Sequence, residues 1–361
     1  MKKKILLIRT YIDVGLGGAV PPMELLHIAS AILRKFGNKY ELRFLHTNIE
    51  SCDLERIQEE VEVFNPDIIL LNSLIWEAEL VHVIASLSKK IIPHTRIVVQ
   101  GQMPTLVGEY VLCDRNIDFG IIGEGEIGVL DLLYRLENRR DFCDARGVIY
   151  RDNGNIVKTT ASEYIENLDE FCILPDIWDL INIKEYAKYQ NWNGSLREEF
   201  YIPILSSRGC PFDCIFCCIR DMYGKKFRAR SPENVVSEIK SLYEKFNCRE
   251  FHFFDPVFNY DLQRAKKICQ LIKDIGLNIS LAFPHGLRAD LMDEELIKLL
   301  KSAGTYKLVY GIETSSARLQ KKIRKNLNLE DVKKVIEKTS RAGIIVGGYF
   351  MLGFPEETKE E

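Results

Sequence analysis

Apolar residues fall along this chain in short blocks, and two spacings alternate. Lys4–Arg9 (KILLIR), Tyr40–Thr47 (YELRFLHT), Asp67–Ser73 (DIILLNS), Arg96–Gly101 (RIVVQG) and Asp118–Glu126 (DFGIIGEGE) are short apolar runs that read as β-strands. Segments between them carry the other spacing. In Met23–Gly37 (MELLHIASAILRKFG) the apolar residues stand three and four apart, which gives a helix one buried stripe. Strands separated by helices predict an α/β fold, here a doubly wound parallel sheet of Rossmann-like type. Such a sheet binds ligands beyond the carboxyl ends of its strands. The loops there are Ile12–Pro22, Asn72–Trp76, Gln100–Thr105 and Gly123–Glu126.

The second half repeats the alternation. Strands are predicted at Tyr201–Ser207, Glu250–Asp255, Asn278–Pro284, Tyr306–Glu313 and Val346–Pro355, and helices at Ser231–Phe246, Leu262–Gly276, Asp293–Gly304 and Leu329–Gly343. Ser231 and Asp293 stand where N-caps belong, and Gly276, Gly304 and Gly343 where a helix turns off through a left-handed residue. Repeated βα units with short loops predict a partial (β/α) barrel, whose chemistry lies at the carboxyl ends of its strands. The sequence stops at PEETKEE just where a fifth helix is due, so the barrel is expected to be incomplete at its C-terminal end. The expected organisation is a sheet domain over 1–145, a hairpin and packed linker over 146–195 with its turn at Asp152–Asn155, and the barrel over 196–361.

Composition narrows the function classes. The chain has 361 residues, 46% hydrophobic and 28% charged, and a formal charge of -3 with no strongly basic block. The footprint of a duplex nucleic-acid binder is missing. The apolar run Ile5–Ile8 ends at Arg9, too short for a signal peptide, and no stretch approaches the roughly 18 apolar residues of a membrane span. A cytoplasmic protein with neither membrane nor nucleic-acid partner is expected. Ten cysteines without a secretion signal point to metal binding or buried thiols rather than disulfides.

Four of those cysteines crowd into LSSRGCPFDCIFCCIR, residues 205–220. Cys210, Cys214 and Cys217 form C-x3-C-x2-C directly after the first barrel strand, so three thiolates of one loop can reach one metal centre. Structural zinc usually takes four ligands, commonly as two C-x2-C pairs, and no second pair occurs; Cys248 and Cys269 stand apart. An iron–sulfur cluster with one iron left open is the second way to use three thiols.

The motif C-x3-C-x-aromatic-C, with Phe216 as the aromatic and the framing RGCPFDCIFC, resembles the radical S-adenosylmethionine (SAM) enzymes of the branch that carries a cobalamin (B12)-binding domain. The resemblance implies that Cys210, Cys214 and Cys217 ligate a [4Fe-4S] cluster whose fourth iron binds SAM, and that reductive cleavage of SAM gives a 5′-deoxyadenosyl radical. Phe216 would lie beside the adenine, and Cys218 would be a bystander. By the same resemblance FFDPVFNYD makes Asp255 a contact of the SAM amino group, and GLRAD offers Arg288 to its ribose or carboxylate. GIETSS brings Glu313, Thr314 and Ser315 to the same ligand. MLGFPEET places Gly353 and Pro355 at the adenine, with Glu356 where the family usually has glycine.

The first half resembles the cobalamin-binding domain in PPMELLHIASAILRKFG, NPDIILLNSLIW, RIVVQGQMPT and IDFGIIGEGE. This implies cobalamin contacts from Gly15 and Gly17, from Ser73 and Leu74, from Gly101, Gln102 and Thr105, and from Gly123, Glu124, Gly125 and Glu126. The D-x-H-x-x-G signature that supplies histidine to cobalt in other corrinoid proteins is absent, since residues 10–22 contain no histidine, and Gln100–Thr105 reads QGQMPT where the branch often has G-G-x-H-P-T. A lower face without a histidine ligand is expected, with His27 in the core or rim of the first helix.

The resemblance implies a radical SAM enzyme that methylates an unactivated carbon of a small-molecule or natural-product substrate, fed by an external electron donor such as flavodoxin or ferredoxin. The alternatives are radical cyclisation, rearrangement or methylthiolation without methyl transfer from cobalamin, and a non-catalytic cobalamin- or metal-binding sensor. Methylthiolation would need a second set of cluster cysteines, for which Cys52, Cys113 and Cys143 are poorly placed in the predicted elements. No general acid or base stands out: Tyr260, His252 and His285 each have an ordinary packing role available.

Overall fold

The structure is a computed structural model that describes residues 2–12, 19–49, 52–160, 163–190 and 196–361. It divides into two compact units, one built of Met1–Glu166, Glu170–Trp192 and Asp221–Tyr223, the other of Asn167–Asp169, Asn193–Arg220 and Gly224–Glu361.

The first unit carries strands β1 (Lys3–Arg9), β2 (Tyr40–His46), β3 (Ile68–Ser73), β4 (Arg96–Gly101), β5 (Phe119–Ile121), β6 (Val148–Asp152) and β7 (Asn155–Lys158) in one sheet of order β2-β1-β3-β4-β5-β6-β7. The first five are parallel. Helices on both faces explain why β1 and β3 read as unbroken apolar runs: Leu6 and Ile8 pack with Ile69, Leu71, Ile97 and Val99 against helices Leu54–Phe64 and Ala78–Ile91. The order 2-1-3-4-5 reverses direction between β1 and β3, and a doubly wound sheet binds its ligand at that point. The hairpin expected in the linker instead completes the sheet as two antiparallel strands, pairing Phe119 with Tyr150 and Ile121 with Val148. The short β5 would otherwise be an open edge.

His46 ends β2 and is only 8% exposed. Burial, together with the nearby charge of Arg9, drops its pKa to about 3. The unfolded chain binds a proton here near pH 6.5 and the folded chain does not, so this contribution to stability is complete above pH 6.5 and is lost as pH falls toward 3. The expected loss is up to about 1.4 kcal/mol per pH unit. Urea unfolding of the wild type should therefore steepen in its pH dependence relative to His46→Phe between about pH 6.5 and 4.5; parallel curves would refute the linkage.

The second unit holds β8 (Ile202–Ile204), β9 (Ser207–Arg208), β10 (Arg228–Ala229), β11 (Glu250–Phe253), β12 (Ser280–Leu287), β13 (Thr305–Glu313) and β14 (Ile345–Phe350). Five of them form a parallel sheet of order β14-β13-β12-β11-β8, and β9 pairs antiparallel with β10. This is the expected partial barrel. The single strand read over Tyr201–Ser207 breaks after Ile204, because Ser206 and Ser207 turn their hydroxyls to the buried carboxylate of Asp255. Ser231 and Asp293 cap their helices as expected, accepting from Asn234 N at 3.2 Å and Leu296 N at 2.7 Å.

Gly304 is where one helix can turn into β13. Its φ is +98°, and a Cβ there would stand 2.3 Å from the Ile279 carbonyl oxygen. Replacing Gly304 with alanine is expected to destabilise the unit by roughly 2–3 kcal/mol, combining left-handed strain with a backbone clash. A shift in the urea midpoint no larger than that of a surface substitution would contradict this.

Candidate cluster and cofactor sites

The three cysteines lie in the loop that follows β9, at the carboxyl end of the barrel's first strand. The loop is short and pinned at several points. Cys210 N donates to Gly224 O at 3.2 Å, Cys217 N to Cys214 O at 3.2 Å, and Ile215 N to Ile323 O at 3.1 Å. Asp213 is clamped between two guanidiniums, Arg220 and Arg324, the latter at 2.6 Å. The segment Ile323–Lys325 after helix Ala317–Lys322 thus buttresses the cysteine loop.

All three thiols are free and partly buried. The three sulfurs do not all lie within 4.8 Å of one another. A tetrahedral zinc with Zn–S near 2.3 Å would hold its sulfurs roughly 3.8 Å apart. Three thiols of one loop suit a cluster in which each thiolate takes its own iron. Burial raises all three thiol pKa values and mutual repulsion adds to it. Arg288 works against this at Cys210 and Cys214, and Lys325 at Cys214 and Cys217. Metal must displace protons here, and two cations favour the resulting thiolates.

Around the loop the barrel assembles the other sequence-predicted residues. Asp255 follows β11 and is 3% exposed; it accepts Ser206 Oγ at 2.7 Å and the Ser207 hydroxyl. Burial pushes its carboxyl up, against the field of Arg264 and these hydroxyls. Arg288 forks onto Asp290 at 2.9 and 2.8 Å, donates to Lys325 O at 3.1 Å and lies 3.6 Å over the ring of Phe212. Its guanidinium therefore braces the cysteine loop. Glu313, at φ 72°, ends β13 and meets Lys325 Nζ at 3.1 Å. The glycine of GIE makes room for that pair, since a Cβ on Gly311 would stand 2.8 Å from Glu313 Oε1 and 2.9 Å from Lys325 Nζ. Thr314 is buried and accepts Ser316 N at 3.2 Å, while Ser315 is exposed.

Phe216 stands 6.0 Å, ring to ring, from Phe354 in the segment that also holds Gly353 and Pro355. Gly353 takes φ +87° and a Cβ there would meet nothing within 4 Å, so the space over its backbone is open. Glu356, where glycine is usual, adopts the left-handed φ of 67° that glycine would supply, held by Lys322 at 2.5 Å and by Arg318 donating to its carbonyl at 2.8 Å. The departure from the family pattern leaves that backbone conformation in place.

In the first unit the described residues expected to contact cobalamin lie together at the carboxyl edge of β3, β4 and β5. Gly15 and Gly17 lie outside the described residues. Ser73 Oγ is sealed at the end of β3 with no partner among the described residues, the kind of buried polar atom a bound group can satisfy. Thr105 Oγ1 donates to Gly101 O at 2.8 Å and accepts Gly123 N at 3.0 Å, tying two of the loops. Gly101 and Gly125 have a packing reason as well: a Cβ would stand 2.5 Å from Ser73 O and 2.9 Å from Gln100 Nε2, respectively. Gln102 and Glu126 begin the helices that follow β4 and β5, and Glu124 accepts Ile165 N at 3.1 Å. His27 is buried, with Nδ1 2.8 Å from Phe171 O, in the core as one of the two expected placements.

Sequence reasoning missed two buried charges. Glu77 is fully buried at the β1–β3 reversal, where Arg9 at 2.6 Å, Thr10 at 2.9 Å and Leu74 N at 2.8 Å converge on its Oε2. Its place three residues after Leu74 is a helix-start spacing that was there to be seen. Lys325 gave no signal, because KKIRKN looks like a solvated helix end. Of the candidate bases His252 is buried, while Tyr260 and His285 are exposed and packed on aromatic rings. His252 lies 2.7 Å from buried Glu250 and stacks on Tyr201 at 3.7 Å, and Tyr306 donates to the same carboxylate at 2.6 Å. Tyr260 packs on Phe212 and Phe227, and His285 on Phe254.

Comparison with known proteins agrees with this arrangement. The Radical SAM superfamily profile matches residues 204–361, and the B12 binding domain profile matches residues 12–133. The chain thus carries a B12 binding domain followed by a domain of the Radical SAM superfamily. It is 27% identical over 346 residues to an uncharacterised methyltransferase of Pyrococcus horikoshii, spanning 96% of this chain and 72% of that protein. It is 26% identical to the cytidylyl-2-hydroxyethylphosphonate methyltransferase of Streptomyces wedmorensis, spanning 92% and 69%. The fold matches that of OxsB, a cobalamin-dependent SAM radical enzyme solved with aqua-cobalamin, with a TM-score of 0.81 and 20% identity over 97% of this chain. The chain spans about half of OxsB, 49% of its length. The cofactors of this family are a [4Fe-4S] cluster, SAM and cobalamin, and the donor set of each unit suits them. No helix among the described residues is long and apolar enough to cross a membrane.

Proposed function

We propose that this protein is a cobalamin-dependent radical SAM methyltransferase acting on an unactivated carbon of a small molecule. The observation that carries the reading is one barrel edge that gathers three partly buried free thiols of one loop, a buried carboxylate and two cations, in a chain that also holds a B12 binding domain. Bound there, a [4Fe-4S] cluster would supply the electron for reductive cleavage of SAM, and cobalamin would supply a methyl carrier.

The chain's own residues hold and orient. Cys210, Cys214 and Cys217 would hold the cluster through their three thiolates. Asp255, an acceptor fixed by two serines, suits the amino group of SAM, and Lys325 with Arg288 supplies positive charge for its carboxylate. Phe216 and the open backbone at Gly353 offer a flat slot for adenine. The electron is proposed to come from an external carrier such as flavodoxin or ferredoxin. Methylthiolation is disfavoured: Cys52 is buried in the hydrophobic core of the first unit while Cys113 and Cys143 are exposed, so these three do not share a cluster site.

The test is anaerobic turnover of the reconstituted protein with SAM and reductant, with and without cobalamin. S-adenosylhomocysteine that forms only when cobalamin is present supports methyl transfer. 5′-Deoxyadenosine without any cobalamin-dependent S-adenosylhomocysteine would contradict it.

A further inference from the structure

The inner face of the barrel carries a charge that the SAM reading does not use. Across its parallel strands Pro203 pairs with His252, His252 with Ala282, and Ala282 with Lys307. Side chains alternate along a strand, so the face that holds Lys307 continues through Val309 and Gly311 to Glu313 and its partner Lys325. The alternate row of Phe253, Phe283 and Leu308 is buried on the other side, where Tyr310 lies 2.8 Å from Thr339 of helix Leu329–Arg341. Lys307 therefore stands on the concave face, below the carboxyl edge proposed for SAM.

This lysine is half-buried and makes no hydrogen bond or ion pair with a described residue. The carboxylate it feels is Glu250, but both oxygens there are taken. Oε1 accepts Tyr306 at 2.6 Å and lies 2.7 Å from His252 Nε2, and Oε2 accepts the N–H groups of Arg197 and Glu198, each at 2.9 Å. Burial lowers the Lys307 pKa, with Glu250 opposing. Its Nζ is not among the polar atoms sealed from solvent. An ammonium that is short of solvation yet reachable is a place for an anion. One lysine balances one negative charge, which suits a carboxylate better than a phosphate dianion.

Higher on the same face stands an aromatic pair. The register of β12 on β13 slips between Phe283 and Leu287, and such irregularities re-aim side chains. Here His285 stacks on Phe254, with centroids 4.0 Å apart and planes at 23°, while Tyr349 donates to the Pro284 carbonyl at 2.6 Å. His285 is open to solvent and Phe254 is half-buried. Crowding by the protein and repulsion from His252 drop the His285 pKa to about 4, so its ring is neutral at pH 7. Phe254 directly precedes Asp255, which sets the pair beside the proposed SAM contacts. Between it and Lys307 the floor is Ala282, Val309 and Gly347, all small or apolar. From Ala282 to His285 the strand rises about 10 Å, the length of a two-ring acid.

We propose that the methyl acceptor is a flat aromatic carboxylate, its ring on Phe254 and His285 and its charge on Lys307. The inference rests on the methyltransferase reading and names the substrate class of that site.

The test titrates 2-naphthoate and its neutral isostere 2-naphthamide into the anaerobically reconstituted full chain and reads the heat of binding. Naphthoate is expected to bind saturably, with Kd below about 1 mM and about tenfold tighter than the amide. Lys307→Gln should bring the two to equal affinity, and Lys307→Arg should keep the preference. Phe254→Leu should weaken both roughly three- to tenfold, through lost stacking. Saturating SAM should leave naphthoate binding unchanged, which separates this charge from Lys325 and Arg288. Circular dichroism confirms that each variant is folded, and the wild-type comparison carries the test should Lys307→Gln be unfolded. The proposal is overturned if naphthoate gives no saturable heat, if the amide binds as tightly, if folded Lys307→Gln keeps the preference, or if SAM displaces naphthoate. Binding is read here rather than turnover, so a failure of cobalamin-dependent methyl transfer would leave this result standing.

Discussion

Cys214→Ala is expected to emerge from anaerobic reconstitution folded but without an iron–sulfur cluster. Cys218→Ala, one residue beyond the last ligand, should assemble it normally. The reason is geometric. Three thiols from one pinned loop would each meet their own iron, whereas Cys218 caps the start of the helix Ile219–Tyr223. Loss of Cys214 leaves two ligands on a partly exposed loop, and a two-thiolate holder cannot retain a cluster that needs three protein contacts. Iron and sulfide analysis with the visible absorption of the cluster reads the result. Equal iron in Cys214→Ala and the wild type would remove this residue from the ligand set. Loss of the cluster in Cys218→Ala would put that residue into it.

The second large effect is at Lys325. This side chain and its partner Glu313 are each 11% exposed, 3.1 Å apart. Lys325→Met would leave the Glu313 carboxylate buried without its cation, on a backbone already at φ 72°. Removing one partner of a buried ion pair typically destabilises by about 3–5 kcal/mol. The double change Lys325→Met with Glu313→Gln should recover much of that, because it also removes the stranded charge. Urea unfolding of the four proteins gives the coupling directly. A destabilisation near 0.5 kcal/mol, roughly the size of a surface substitution, would show that the pair has no structural weight. SAM affinity should fall about tenfold in Lys325→Met, the loss of roughly 1.4 kcal/mol of charge attraction, and Lys325→Arg should restore it.

Much of this architecture is written locally. Parallel strands buried on both faces must be apolar throughout, so β1, β3 and β4 announce themselves. Helix ends at Gly276, Gly304 and Gly343 were legible because they take φ of 66°, 98° and 75°, which few other residues adopt without strain. The cysteine loop was legible because its ligands are close in sequence. What escaped notice depends on distant packing. The hairpin Val148–Lys158 has an evident turn, but nothing local says that its first strand will pair with β5. Lys325 and Glu77 belong to polar segments, and only tertiary contacts bury them. The candidate histidine His252 proved to be buried for the same reason, since its partner Glu250 is hidden by residues far along the chain.

The central claim is that the loop at Cys210, Cys214 and Cys217 holds a cluster on which SAM is cleaved. The most direct measurement takes the anaerobically reconstituted protein, determines its metal content, adds SAM and a strong reductant, and looks for 5′-deoxyadenosine by mass spectrometry. Iron with matching sulfide, and 5′-deoxyadenosine that disappears in Cys214→Ala, is the predicted result. Zinc in place of iron, or a full cluster that yields no 5′-deoxyadenosine from SAM, would contradict it.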